Sequence, residues 1–94
     1  MTSADARLAL LSERFARDAR QERTHLLADL MAGRATMLRQ RAHRLAGTAA
    51  MFGFPKLGAA ALALDDALER HLNPGGTTLA LAEMLEDIAR STTP

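Results

Sequence analysis

The sequence predicts an all-α protein, an antiparallel up-down four-helix bundle, and three observations carry that expectation. Ala (20) and Leu (16) fill 36 of the 94 positions, Val is absent, Ile occurs once and the only aromatics are three Phe. A β-rich fold would need the residue types that are missing. Breaker residues fall at Gly33, at Phe52-Gly53-Phe54-Pro55 and at Asn73-Pro74-Gly75-Gly76, dividing the chain into four segments. Each segment carries apolar residues at helical spacing, and helices joined by loops this short pack as antiparallel neighbours. The chain reads as one domain over 1–94, with the bundle core from about residue 11 to 90.

The first segment opens at Ser3 or Asp5, both suited to an N-cap, and runs to Ala32 before Gly33. Leu8, Leu11, Phe15, Ala19, Leu26 and Leu30 lie near one stripe of it, and its polar middle, Arg20 to His25, admits a break. The second helix covers about Ala35 to Met51. The third places Pro55 in its first turn, where a missing N–H is harmless, and runs to about Leu72 with Leu57, Ala61, Leu64 and Leu68 inward. Thr77 or Thr78 caps the fourth, which carries Leu81, Met84 or Leu85, and Ile88.

Composition excludes several classes of function. No run of eighteen apolar residues exists to span a membrane, and zero Cys excludes disulfides and thiolate metal sites. The charged, amphipathic N-terminus lacks the apolar core of a secretory signal, so the expected location is cytoplasmic. A chain this short buries roughly 60–65% of its unfolded surface, which leaves little for a deep pocket and favours surface chemistry or partner binding. Residues 1–47 carry nine Arg and five acids (+4) and residues 48–94 three basic residues and six acids (−3), so one half suits an acidic partner. Eleven Arg raise nucleic-acid binding, but they are interleaved with acids and no aromatic stacking platform accompanies them. No phosphate-binding loop, nucleophile elbow or dinucleotide fingerprint appears. His25 and His71 have no partner at metal-ligand spacing, so no metal site is expected; His71, near a helix C-terminus, suits the macrodipole. Asp65, Asp66 and Glu69 read most simply as a solvated acidic face.

The second helix is the informative one. At 100° per residue Leu38, Ala42, Leu45, Ala49 and Phe52 fall within about 40° of one direction, the buried stripe. His43 lies about 140° from it and therefore faces solvent, with Thr36, Gln40, Gly47 and Ala50 on its face and Arg39 and Ala46 one turn away. Gly47 costs its helix about 1 kcal/mol relative to Ala and lies about 180° from the stripe. That position suits a body outside the bundle approaching the backbone beside His43. Met37 and Met51 border the same face as adaptable contact residues. A neutral imidazole offers a nucleophilic ring nitrogen near neutral pH and accepts phosphoryl groups.

From His43 to Glu69 the segment HRLAGTAAMFGFPKLGAAALALDDALE resembles the signature of histidine phosphotransfer (HPt) domains. That signature has a phosphoacceptor His, Leu two positions on, Gly four on, small residues next and a Gly ten on at the interhelical turn. His43, Leu45, Gly47, Ala49 and Gly53 match it, and Leu57, Leu64, Leu68 and Glu69 suit the helix that follows. The pattern from Phe15 through Leu26, Ala32 and Gly33 is similar to the family's first bundle helix, so the resemblance covers about Leu11 to Ile88. The family usually has Lys or Arg three residues after the His, where this chain has Ala46.

The resemblance implies a phosphocarrier in a His–Asp multistep relay, without independent turnover. His43 would take a phosphoryl group, through Nε2, from a receiver-domain phosphoaspartate and pass it to another receiver Asp. The expected partners are response-regulator receiver domains and a hybrid sensor histidine kinase. Thr36, Arg39, Gln40, Arg44, Ala46, Gly47, Ala50 and Met51 would form the contact surface, with positive charge near His43 meeting an acidic receiver. No cofactor is expected on this chain, Mg²⁺ belonging to the receiver, and the protein would act as a monomer with no membrane or nucleic-acid contact. The alternatives are a helical adaptor that binds a receiver or kinase domain without relaying phosphate, and a dimeric helical scaffold.

Overall fold

The computed structural model describes residues 3–92, which form four helices: α1 (Ser3–Met31), α2 (Ala35–Met51), α3 (Pro55–Glu69) and α4 (Gly75–Thr92). Each packs on its neighbour in sequence and α1 closes the ring on α4; the α2–α3 and α1–α4 seams are the most extensive. The core is Leu and Ala, as the composition dictates. Leu38, Ala42, Leu45 and Ala49 of α2 are buried against Leu26 of α1, Leu57, Ala61 and Leu64 of α3, and Leu81 and Leu85 of α4. All three Phe meet at one end, with Phe15 stacked 5.3 Å from Phe54 and tilted 5.9 Å from Phe52. The Ser12 hydroxyl donates to the Phe52 carbonyl there (3.0 Å), satisfying an acceptor that the end of α2 leaves open.

Three helices stop in the same way. After α1 the Arg34 N–H reaches back to the Asp29 carbonyl and Gly33 N–H to Leu30; after α2 Phe54 reaches Ala49 and Gly53 reaches Ala50; after α3 Leu72 reaches Ala67 and His71 reaches Leu68. This paired pattern needs one residue with positive φ, supplied by Gly33 (+69°), Gly53 (+89°) and His71 (+57°). His71 thus serves as the left-handed terminator of α3, a different role from the macrodipole partner expected of it. It also ends α3 at Glu69, short of the expected Leu72.

The other departures have physical reasons. α1 runs unbroken through Arg20–His25, because Arg20 and Arg23 pair with Glu86 of α4 while Glu22 pairs with Arg41 of α2. Leu8 and Leu11 are exposed: α1 is 29 residues long and α2 only 17, so the first turns of the stripe project beyond the helices that would cover them. The α4 cap comes from Asn73, whose Oδ1 accepts the Gly75 N–H at 2.9 Å. Thr77 and Thr78 lie inside the helix, Thr77 donating to the Pro74 carbonyl and Thr78 fully buried. Leu68 is half-buried against the core.

Below the α1–α2 turn, buried Asp29 accepts from Arg34 Nε and Arg41 Nε, both at 2.7 Å. The hydrogen bond from Arg34, supported by Arg41, holds its carboxyl below the ordinary Asp value of 3.8 although burial opposes ionisation.

Candidate functional site

His43 stands on the outer side of α2 with its side chain 82% exposed. The ring is not free to spin: Nδ1 lies 3.2 Å from Asp65 Oδ2 on α3, and the Asp65 side chain is only 16% exposed. Arg39, one turn before His43, donates from Nε to the other carboxylate oxygen at 2.9 Å and reaches Glu69 at 3.7 Å. The hydrogen bond from Arg39 is the largest influence on Asp65. With the His43 contact it lowers the carboxyl from 3.8, against burial. An ionised carboxylate only accepts, so a hydrogen bond at this contact has Nδ1 as its donor.

This arrangement corrects two expectations. Asp65 and Glu69 are not merely a solvated acidic face; only Asp66, paired with Arg70 on its own helix, fits that description. Arg39, expected as positive charge beside the imidazole, is committed to Asp65 and Glu69. Arg44 lines a groove against α1 with Phe15, Asp18 and Glu22, on another side of α2. The sequence held a signal for Asp65. Arg39 and Glu69 lie fifteen residues either side of Phe54, His43 and Asp65 eleven, and Ala50 and Gly58 four. Folding the chain back at the Phe54 turn superposes these positions at equal helical rise.

The other expected contact residues divide by exposure. Thr36, Gln40, Gly47, Ala50 and Met51 are all exposed, as is Met37. A Cβ built on Gly47 meets nothing within 4 Å, so no helix of the bundle covers the backbone there. Ala46 is half-buried in the α2–α3 seam, where a Cβ on Gly58 would lie 3.3 Å from its carbonyl oxygen. Gly58 is what lets α3 approach α2 closely enough for Asp65 to reach His43. Leu62, a large apolar residue 58% exposed, lies one turn before Asp65 on α3, and the sequence reading passed over it. Among the described residues no group of three or more His, Asp or Glu side chains is arranged to hold a metal ion, and no helix is long and apolar enough to cross a membrane.

The face thus presents an exposed imidazole buttressed by the neighbouring helix of a four-helix bundle. A family model described as the Hpt domain matches residues 10–91, and the chain belongs to that family. Hpt domains are phosphocarriers of His–Asp relays and in general interact with response-regulator receiver domains. Nothing among curated proteins or solved structures matches the chain.

Proposed function

We propose that this protein is a phosphocarrier of a His–Asp relay in which His43 is the phosphoacceptor. One observation carries the reading: in a chain of the Hpt family, the exposed His43 ring is anchored through Nδ1 on Asp65, which leaves Nε2 available. In the forward step the Nε2 lone pair attacks the phosphorus of a receiver's aspartyl phosphate. The bond from phosphorus to the carboxylate oxygen breaks, and its electron pair stays on the receiver's Asp. The second step passes the group to the Asp of another receiver. Mg²⁺ is expected on the receiver and no cofactor on this chain. Thr36, Gln40, Gly47, Ala50 and Met51 supply a docking surface of small and flexible side chains around the ring. The same reading has the protein acting as a cytoplasmic monomer, on receiver domains and downstream of a hybrid sensor histidine kinase.

The test is incubation with receiver domains carrying labelled phosphoaspartate. Label that is acid-labile and alkali-stable is expected on the wild type, and His43→Gln should abolish it while leaving the melting temperature within a few degrees, since a solvent-facing ring adds little to stability. Label on His25 or His71 would move the site. Receiver binding with no label on any residue would favour the adaptor reading, for which Ala46, in place of the family's usual cation, is the supporting feature.

A further inference from the structure

We propose that the projecting first turns of α1 pair antiparallel with the same turns of a second copy of this chain, joining two bundles end to end. α1 has 29 residues against 17 in α2 and 18 in α4, so at 1.5 Å per residue it outreaches them by roughly 16 Å. The molecule is accordingly 45 Å long against 24 and 17 Å across. Residues 3–11 are exposed throughout. They nevertheless carry an apolar stripe that the bundle leaves uncovered, with Leu8 45% and Leu11 39% exposed. At 100° per residue Ala4, Leu8, Leu11 and Phe15 fall within about 30° of one direction, so the stripe that Phe15 carries into the core continues outward past the last turn of α2.

The stripe complements itself. An antiparallel pair with Leu8 against Leu11 of the second copy has, by twofold symmetry, Leu11 against its Leu8 and Ala4 against its Phe15. Leucines then meet at the centre, and at each end a small residue faces a ring already packed on Phe52 and Phe54. The spacing 4, 8, 11, 15 is the alternating repeat of a coiled-coil seam. A parallel partner would run on along Ala19 and Leu26 into the space the bundle fills, whereas the antiparallel one starts its helix at the level of Phe15 and leads away. One flank sets Asp5 beside Ser12 of the second copy; the other sets Arg7 beside its Arg14, a repulsion that salt screens. Three turns a side bury less than the roughly 1,200–2,000 Å² of a stable interface. The pair is therefore weak, with Kd about 10–100 µM. His43 lies roughly 13 Å back along α2 from Phe52, so the face around it stays open and each bundle still acts on its own receiver.

Sedimentation equilibrium of the full chain between about 5 and 500 µM tests the pairing. The mass should rise from 10.1 kDa toward twice that value, and raising salt from about 50 to 300 mM should tighten the pair about 3-fold. Leu8→Glu and Leu11→Glu should each raise Kd at least about 10-fold. Leu10→Glu should leave it unchanged, because Leu10, although 66% exposed, points about 130° away from the stripe. All three positions are exposed, so the melting temperatures should stay within a few degrees of the wild type. The chain has no Cys, so disulfide trapping reports the direction: in an oxidised mixture of Leu8→Cys and Leu11→Cys chains the mixed disulfide should outweigh the like pairs. A mass of 10.1 kDa at every concentration, weakening by salt, an equal loss in Leu10→Glu, or a preference for like disulfides overturns the inference. So does a wild type that stays monomeric while Leu8→Glu slows phosphoryl transfer from a receiver, a result that assigns the stripe to the receiver instead.

Discussion

At the scale of single residues, Ala46 puts no cation one turn after the proposed phosphoacceptor, while Arg39 is bound to two carboxylates and Arg44 lines a groove against α1. Helical side chains lean toward the N-terminus, so Ala46→Lys would extend along the α2–α3 seam over His43. We expect it to accelerate transfer about 3–10-fold, a partly solvated charge-assisted contact to the phosphoryl oxygens; unchanged rates across several receivers would show that the receiver supplies the cation. Two glycines near the site have opposite sensitivities. Gly47→Ala, in open space, should raise stability by about 0.5–1 kcal/mol, measured by denaturant unfolding. Gly47→Leu should instead slow receiver transfer while leaving phosphoramidate reactivity intact. Gly58→Ala puts a methyl 3.3 Å from the Ala46 backbone and should lower stability by about 1 kcal/mol, because the helices must part. The sequence made His43 and Gly47 legible through their angle to the buried stripe, a property of one helix. Asp65 escaped because its partner lies on the next helix and had to be sought across the turn.

At the scale of helices, the ends carry the clearest energetic signatures. His71 holds a left-handed conformation that disfavours a side chain with a Cβ, so His71→Gly should stabilise the protein by about 0.5–1 kcal/mol. A lower melting temperature would mean that the imidazole has a role the backbone does not explain. Thr78 is fully buried in α4, and its hydroxyl has no hydrogen-bond partner among the described residues. Thr78→Val should therefore gain about 1 kcal/mol, the usual cost of an unsatisfied buried polar group. The bounds of α2 and the start of α3 were legible because Gly33, Gly53 and Pro55 act on their own neighbours. The α4 cap was misassigned because two threonines and one asparagine all offer a side-chain oxygen, and Asn73, with Pro74 behind it, is the one placed before the first turn. Leu8 and Leu11 were misread for a different reason. Periodicity names the face of a helix and says nothing about how far the opposing helices extend.

At the scale of the molecule, the opposite charges of the two halves are partly spent on each other, three of the nine Arg of residues 1–47 pairing with three of the six acids of residues 48–94. Arg20 and Arg23 meet Glu86, and Arg39 meets Asp65 and Glu69, all across the divide at residue 47. The basic half is thus partly neutralised from within, and receiver association should depend on salt less than the sequence suggests; a steep fall in the association rate between 50 and 300 mM salt would contradict this. Acid should expose the internal pairing. Asp29 and Asp65 both have folded-state pKa values below 3.8, so their stabilisation is complete above about pH 5. It is lost as pH falls through 3.8 and on through the folded values. Asp29→Asn should cost about 2–3 kcal/mol at pH 7, leaving Arg41 without its buried partner, and should flatten the acid limb of stability against pH.

The long first helix gives one continuous element two clocks. From Ala16 onward its backbone amides are protected by packing, and their hydrogen exchange should require opening of the whole bundle. The preceding turns, exposed on nearly every side and tied to the bundle through the Ser12–Phe52 hydrogen bond at their inner end, rely mainly on local helix formation, and a helical stretch this short is marginal in water. Amides near Leu10 should accordingly exchange orders of magnitude faster than those near Leu26, with the step falling at the Phe15 ring rather than at a bend or a glycine. Protection extending evenly back to Leu8 would mean that a body outside the bundle covers those turns.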